Sequence, residues 1–274
     1  MIILGINGRS DSEWSHDAAA ALVIDGRLIV ALEQERISRR RHARGEGPTQ
    51  AILACLAEAG LQFADVDAFA FGSYVHDARP DSVISPNIYS SSALSDLLLP
   101  LNVRGSSGRP VIHFVRHHFA HFAASFYTAG WPTAAGLVID GCGEQESISF
   151  FLGGPTGVKR LAAFGVPASL GIMYDAAGYY SGLGHDAAGK LMGLAAFGRP
   201  TYCFGWSVDS ETGELQPPAF LLENSVPPDD PLAVGRAWGD YFCRCAYPYS
   251  RGSATEVVYY ANLAASVQSE LERV

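Results

Sequence analysis

MIILGINGRSDSEWSHDAAAALVIDGRLIVALEQER, residues 1–36, holds three apolar runs cut by two polar turns. MIILGING predicts a buried strand, RSDSEWSHD a turn, AAAALVID a second strand, and Asp25-Gly26 a tight turn into RLIVALEQER as a third strand. Pro48 stands where a helix begins, and Ile52, Leu53 and Leu56 keep helical spacing until Gly60 closes it. FADVDAFAFGS follows as another strand, so the order is β-β-β-α-β.

The same plan returns at residues 134–166. AAGLVID is a strand ending at Asp140-Gly141, CGEQE is a small polar turn, and SISFFLGG and VKRLAAFGV are two further strands. Such a pseudo-repeat, one unit per lobe, describes a two-lobed α/β protein of the actin/hexokinase type, in which the hairpin turns approach the phosphates of a nucleotide in the cleft. A generic α/β protein with two meanders satisfies the same pattern. The first lobe is expected over 1–128 and the second over 129–274. Residues 201–253, rich in Pro, Asp, Gly and Ser, read as an irregular insertion with short elements. Ser253-Ala-Thr-Glu256 then opens an amphipathic terminal helix by a capping-box pattern, and the second lobe stops there, incomplete.

Composition bounds the function. The chain has 274 residues, 48% of them hydrophobic, and a net charge of −9, which argues against nucleic acid or anionic membrane as a partner. One basic stretch, RISRRRHAR at 36–44, is either a solvated face or an anion contact. Five scattered cysteines and no apolar signal segment point to free thiols in a cytoplasmic protein, and no apolar run is long enough to span a membrane.

VRHHFAHFAASF, residues 115–126, concentrates the histidines. On a helix His117 and His121, at i and i+4, share a face and can hold one metal ion, whereas His118 is rotated about 100° away. Histidines packed beneath a lobe are the alternative. Asp140 ends an apolar strand beside a Gly-rich turn, where α/β proteins bind ligands, and two imidazoles with a carboxylate suit Fe(II), Zn or Mn. Asp140 equally fits as a plain hairpin-turn residue. His16, followed by Asp17, sits at the turn-to-strand junction of the first hairpin, as a general base or as a surface turn histidine. Lys190, one of two lysines, follows Gly189 without the spacing of a phosphate-binding Walker loop; it either approaches a phosphate or opens a helix.

Five blocks in order across residues 1–200 give the chain a family likeness. HDAAAALVIDGRLIVALEQERISR, RHHFAHFAASFYTAG, LVIDGCGE, SLGIMYDAAGYYSGLG and GKLMGLAAFG resemble those of the NodU/CmcH-type carbamoyltransferases. The resemblance implies a Kae1-like lobe pair, a metal, usually iron, on His117, His121 and Asp140, and His16 with Asp17 near the transferring carbamoyl group. Gly141, Gly143 and Lys190 become cofactor-binding candidates. It further implies that a YrdC-like domain makes carbamoyl adenylate from carbamoyl phosphate and ATP, and that the Kae1-like part passes the carbamoyl to a hydroxyl of a small natural product, as in antibiotic biosynthesis. The chain departs from the family in two ways. The stretch Gly184–Lys190 lacks an acidic residue just before Gly-Lys, and the family's chain runs on through a further metal-binding aspartate and the YrdC-like domain. The chain is therefore either one half of a split protein, with a complementary chain carrying those parts as its expected partner, or a fragment of a longer chain. A threonylcarbamoyl-type transferase acting on tRNA and a non-catalytic scaffold or regulatory subunit are the competing functions.

Overall fold

The computed structural model describes residues 1–10, 15–73, 84–86, 98–105, 110–223, 226–227, 229–245 and 254–274, so Ser253 of the capping-box pattern lies outside the described residues. The chain divides into two compact units, Met1–Ala129 and Gly130–Val274.

The first unit is built on a six-stranded sheet in the order β3-β2-β1-β4-β6-β5. β1 (Ile2–Asn7), β2 (Ala19–Ile24) and β3 (Arg27–Glu33) form the antiparallel meander expected from residues 1–36. β4 (Ala68–Phe71) and β6 (Ile112–Val115) extend it in parallel from β1, and β5 (Ile84–Pro86) closes the far edge antiparallel to β6. Alternation decides which side is core: Leu4, Ile6, Ala20, Leu22, Phe69, Phe71, Ile112 and Phe114 are buried with Ile52 and Cys55 of helix α2 (Thr49–Glu58).

The third strand is shorter than the sequence suggests. It ends at Glu33, and Gln34–Ser38 form a short helix, α1. Gln34 explains the switch: buried, its Oε1 accepts the backbone N–H of Gln50 (3.1 Å) and Ala51 (3.0 Å), and its Nε2 donates to Gln50 Oε1 at 2.9 Å. Pro48, at the N-cap of α2, has no side-chain acceptor, so Gln34 caps that helix from a distant part of the chain. A short helix α3 (Leu101–Arg104) precedes β6, and α4 (His117–Ala129) follows it.

The second unit opens on a three-stranded antiparallel sheet of β7 (Ala134–Gly143), β8 (Glu146–Gly154) and β9 (Gly157–Gly165), the repeat of the first meander. Helices α5 (Leu170–Tyr180), α6 (Ala188–Ala195), α7 (Pro231–Cys245) and α8 (Ala254–Arg273) surround a core of Met173, Leu191, Trp238, Phe242, Leu263 and Val267. A two-stranded ribbon, β10 (Ser207–Val208) with β11 (Leu215–Gln216), lies between α6 and α7. Within the stretch 201–253, residues 231–245 form a helix rather than irregular chain. Pro231 starts a fifteen-residue helix that places Val234, Trp238 and Phe242, spaced by four, in the core. Leu137, Ile139, Phe150, Leu152 and Leu161 remain exposed on the sheet.

Candidate metal and acyl-transfer site

Helix α4 places two imidazoles together. His117 and His121 are one turn apart, and their Nε2 atoms stand 2.9 Å from each other. The carbonyl of Gly72, at the end of β4, lies 3.3 Å from Nδ1 of His117. A carbonyl only accepts, so Nδ1 carries the proton and Nε2 is left with its lone pair, the arrangement that orients metal-binding histidines. His118, rotated off this face, is buried, as its position in the helical turn requires. The pair therefore fits a divalent metal that takes imidazole nitrogen.

Asp140 belongs to the second unit. It lies where the register of β7 against β8 shifts between Ile139 and Gly143, and its Oδ1 accepts the N–H of Gly141 at 2.6 Å. The bulge is braced from behind: Ser169 Oγ, which caps α5 through the N–H of Ile172, donates to the Gly141 carbonyl at 2.6 Å. Gly171 permits that approach, since a Cβ there would stand 2.6 Å from Gly141 N and 2.7 Å from Asp140 O. Gly141 faces open space, whereas Gly143 is buried and pairs with Glu146. Burial first, then the Asp140 and Glu144 carboxylates, pushes the Cys142 thiol up to about 11. Lys190 is exposed in the first turn of α6. Ahead of it, the α5–α6 connection is tied by Asp175, whose carboxylate accepts Asp186 N–H at 3.0 Å and lies 3.4 Å from His185 Nδ1. Tyr179 stacks on His185 with ring centroids 4.5 Å apart.

In the first unit, His16 and Asp17 are joined by a 2.7 Å contact from Nδ1 to Oδ2. The other carboxylate oxygen of Asp17 meets Nδ1 of His42 at 2.9 Å, and His42 donates its backbone N–H to Glu35 Oε2 at 2.6 Å. Burial pushes the Asp17 carboxyl up, but the hydrogen bonds from His42 and then His16 outweigh it and hold it below the usual aspartate range. His42 and Glu35 were not singled out by sequence; His42 hides among the arginines of RISRRRHAR. The Asp17, Glu35 and His42 side chains lie within metal-binding distance of one another, and Asp17 Oδ1 is already engaged by Nδ1 of His42 while Glu35 Oε2 accepts the His42 backbone N–H. A cleft of about 700 Å³ opens on the small-residue face of the sheet, lined by Gly5, Ala19, Ala21, Ala70 and Gly72 with Ala120 and Ala124 of α4.

These features belong to a known class. A family model described as Carbamoyltransferase N-terminus matches residues 3–85 and 81–206. The chain belongs to the carbamoyltransferase family, and what it matches is the family's N-terminal part. Among curated relatives it is 35% identical over 199 residues to Nodulation protein NolNO of Sinorhizobium fredii (68% of this chain, 28% of the relative). It is 32% identical over 222 residues to the uncharacterized protein sll1178 of Synechocystis (73% and 35%) and 30% identical over 216 residues to Nodulation protein U of Sinorhizobium fredii (67% and 37%). The chain thus spans about a third of the length of these relatives. YeaZ from Pseudomonas aeruginosa is similar over 59% of this chain and 64% of its own at a TM-score of 0.31 and 16% identity, too distant to bear on fold or function. Among the described residues no helix is long and apolar enough to cross a membrane.

Proposed function

We propose that the chain is the N-terminal part of a metal-assisted O-carbamoyltransferase. It would pass a carbamoyl group from carbamoyl adenylate, made from carbamoyl phosphate and ATP, to a hydroxyl of a small natural product. The observation that carries the reading is the His117–His121 pair, with both Nε2 atoms converging and Nδ1 of His117 set by the Gly72 carbonyl, in a chain whose family transfers carbamoyl groups.

His117, His121 and Asp140 would hold the metal, which supplies Lewis-acid polarisation of an oxygen in the bound substrate. The remaining chemistry falls to the chain's own groups. His16, its Nδ1–H on Asp17, presents Nε2 to take the proton of the acceptor hydroxyl. The freed oxygen forms a bond to the carbamoyl carbon, the bond from that carbon to the adenylate oxygen breaks, and AMP leaves with the electron pair. The ionised Asp17 carboxylate stabilises the imidazolium that His16 becomes. Gly141 and Gly143 let the second hairpin turn come close to a phosphate, and Lys190 supplies a cation for it.

A complementary chain or segment would supply the rest of the active site. Two observations support this. The curated relatives are about three times as long as the matched stretch. The second sheet leaves Leu137, Ile139, Phe150, Leu152 and Leu161 exposed, an apolar surface that a further segment would cover. The test is reconstitution: the chain is mixed with the C-terminal part of a family member, and label from carbamoyl phosphate is followed into a hydroxyl acceptor with ATP present. Incorporation that requires both parts supports the reading; incorporation by the C-terminal part alone overturns it.

A further inference from the structure

Two loops of the first unit, residues 15–18 and 39–45, are locked together in costly backbone conformations. Asp17 (φ 55°), Arg39 (φ 61°), His42 (φ 60°) and Ala43 (φ 42°) all occupy the left-handed region, which non-glycine residues rarely adopt. Each such residue costs on the order of 1–3 kcal/mol, so the surrounding contacts must hold them there. Those contacts are short: Asp17 N–H donates to the His42 carbonyl at 2.7 Å, Asn7 Nδ2 to the Asp17 carbonyl at 3.0 Å, and His42 N–H to Glu35 Oε2 at 2.6 Å. What the strain secures is the placement of one carboxylate between two imidazoles.

That placement fixes both protons. An ionised carboxylate only accepts hydrogen bonds. Oδ1 of Asp17 meets Nδ1 of His42 at 2.9 Å and Oδ2 meets Nδ1 of His16 at 2.7 Å, so each ring must carry its proton on Nδ1. His42 gives an independent check. Its Nε2 is buried without a hydrogen-bond partner, and orphaned acceptors are found buried somewhat more often than orphaned N–H donors. His42 therefore serves as a neutral donor to Asp17.

We propose that His42 is a positioning residue for His16. By donating Nδ1–H to Oδ1 of Asp17 it turns the carboxylate so that Oδ2 faces the Nδ1–H of His16, which keeps Nε2 of His16 as the proton acceptor. Two histidines on one aspartate thus form a chain in which only the half-exposed member can reach a substrate: the His16 side chain is 52% exposed and that of His42 30%. The catalytic consequence rests on reading His16 as the base of carbamoyl transfer; the tautomer assignment does not.

The test is nuclear magnetic resonance of the full chain labelled with ¹³C and ¹⁵N in histidine, in wild type, His42→Ala and His42→Asn. In wild type, His16 and His42 are both expected with protonated Nδ1 and bare Nε2. In His42→Ala the His16 signals shift toward the Nε2-protonated form that free imidazole prefers. His42→Asn restores the wild-type pattern, because asparagine tolerates the left-handed backbone and its amide can donate to Asp17. An Nε2-protonated His16 in wild type overturns the proposal, as does an unchanged His16 in a folded His42→Ala or an Asn variant that behaves like Ala. If His42→Ala does not fold, the wild-type and Asn spectra decide. The expected tautomers in a chain that supports no transfer in the reconstitution would leave this proposal standing and overturn the proposed function alone.

Discussion

Nε2 of His121 stands 2.9 Å from Nε2 of His117, and Nδ1 of His117 is occupied by the Gly72 carbonyl at the end of β4. A helix alone would bring the two rings to one face; it is the strand end that sets which nitrogen points outward. Sheet and helix therefore prepare the pair jointly, before any ligand arrives.

Gln34 tests how the first unit holds the helix behind its sheet. Replacing it with alanine leaves the N–H groups of Gln50 and Ala51 without their acceptor beneath a buried side chain. Gln34→Ala is expected to cost about 1–2 kcal/mol, in the range of a lost helix cap. Chemical denaturation of the variant beside wild type measures it, and a loss well under 0.5 kcal/mol would mean that the cap is dispensable.

Gly171 governs the Asp140 turn. An alanine there would drive its Cβ into Asp140 O and Gly141 N, both backbone atoms that cannot swing aside. Gly171→Ala is expected to destabilise the chain by about 1–3 kcal/mol, as overpacking does, by pushing the Asp140 turn away from α5. Thermal unfolding of the variant beside wild type measures the loss, and an unchanged melting temperature would mean that α5 and the turn do not meet so closely.

Two glycines near α6 should respond in opposite directions. Gly193 lies inside the helix with nothing within 4 Å of an added Cβ, so Gly193→Ala should stabilise by about 0.5–1 kcal/mol. At Gly198 the added Cβ lands on the carbonyl of Ala261 in α8, and Gly198→Ala should lower the melting temperature. Equal effects of the two changes would show that the chain at Gly198 does not approach Ala261 of α8 so closely.

Asp17 gives the chain an acid-sensitive tie. Its carboxyl is held below the ordinary value by the two imidazoles, so its contribution to stability is fully present above the usual aspartate pKa of about 3.9 and is lost as pH falls through the lower folded value. The stability gap between wild type and Asp17→Asn should therefore be constant from pH 7 down to about 5 as far as Asp17 is concerned, and should close below about 4. Denaturation across that range provides the check, and a gap that widens on acidification would contradict the assignment.

Much of this was legible in the sequence where pattern and structure share a period. The alternation of MIILGING and AAAALVID against a tight Asp-Gly turn gave the first meander, and its repeat at 134–166 gave the second. Spacing of four put His117 and His121 together. What stayed hidden depends on contacts across the chain. Residues 34–36 look like the tail of a strand, because nothing local says that Gln34 will be drawn away to cap α2, sixteen residues on. His42 reaches Asp17 across 25 positions only because the β2–β3 hairpin brings the two loops together. Helix α7 was readable in principle from Pro231 and the Val234, Trp238, Phe242 spacing, but the Pro- and Asp-rich composition before it masked the period.

Whether the α4 histidines hold a metal is decided by the metal content of the anaerobically purified chain, wild type beside His121→Ala and His117→Ala. About one iron, zinc or manganese per wild-type chain is expected, lost in either variant, with both variants retaining the wild-type circular dichroism spectrum. Metal retained in full by both folded variants, or a wild-type chain that takes up none even when its C-terminal complement is present, would contradict it.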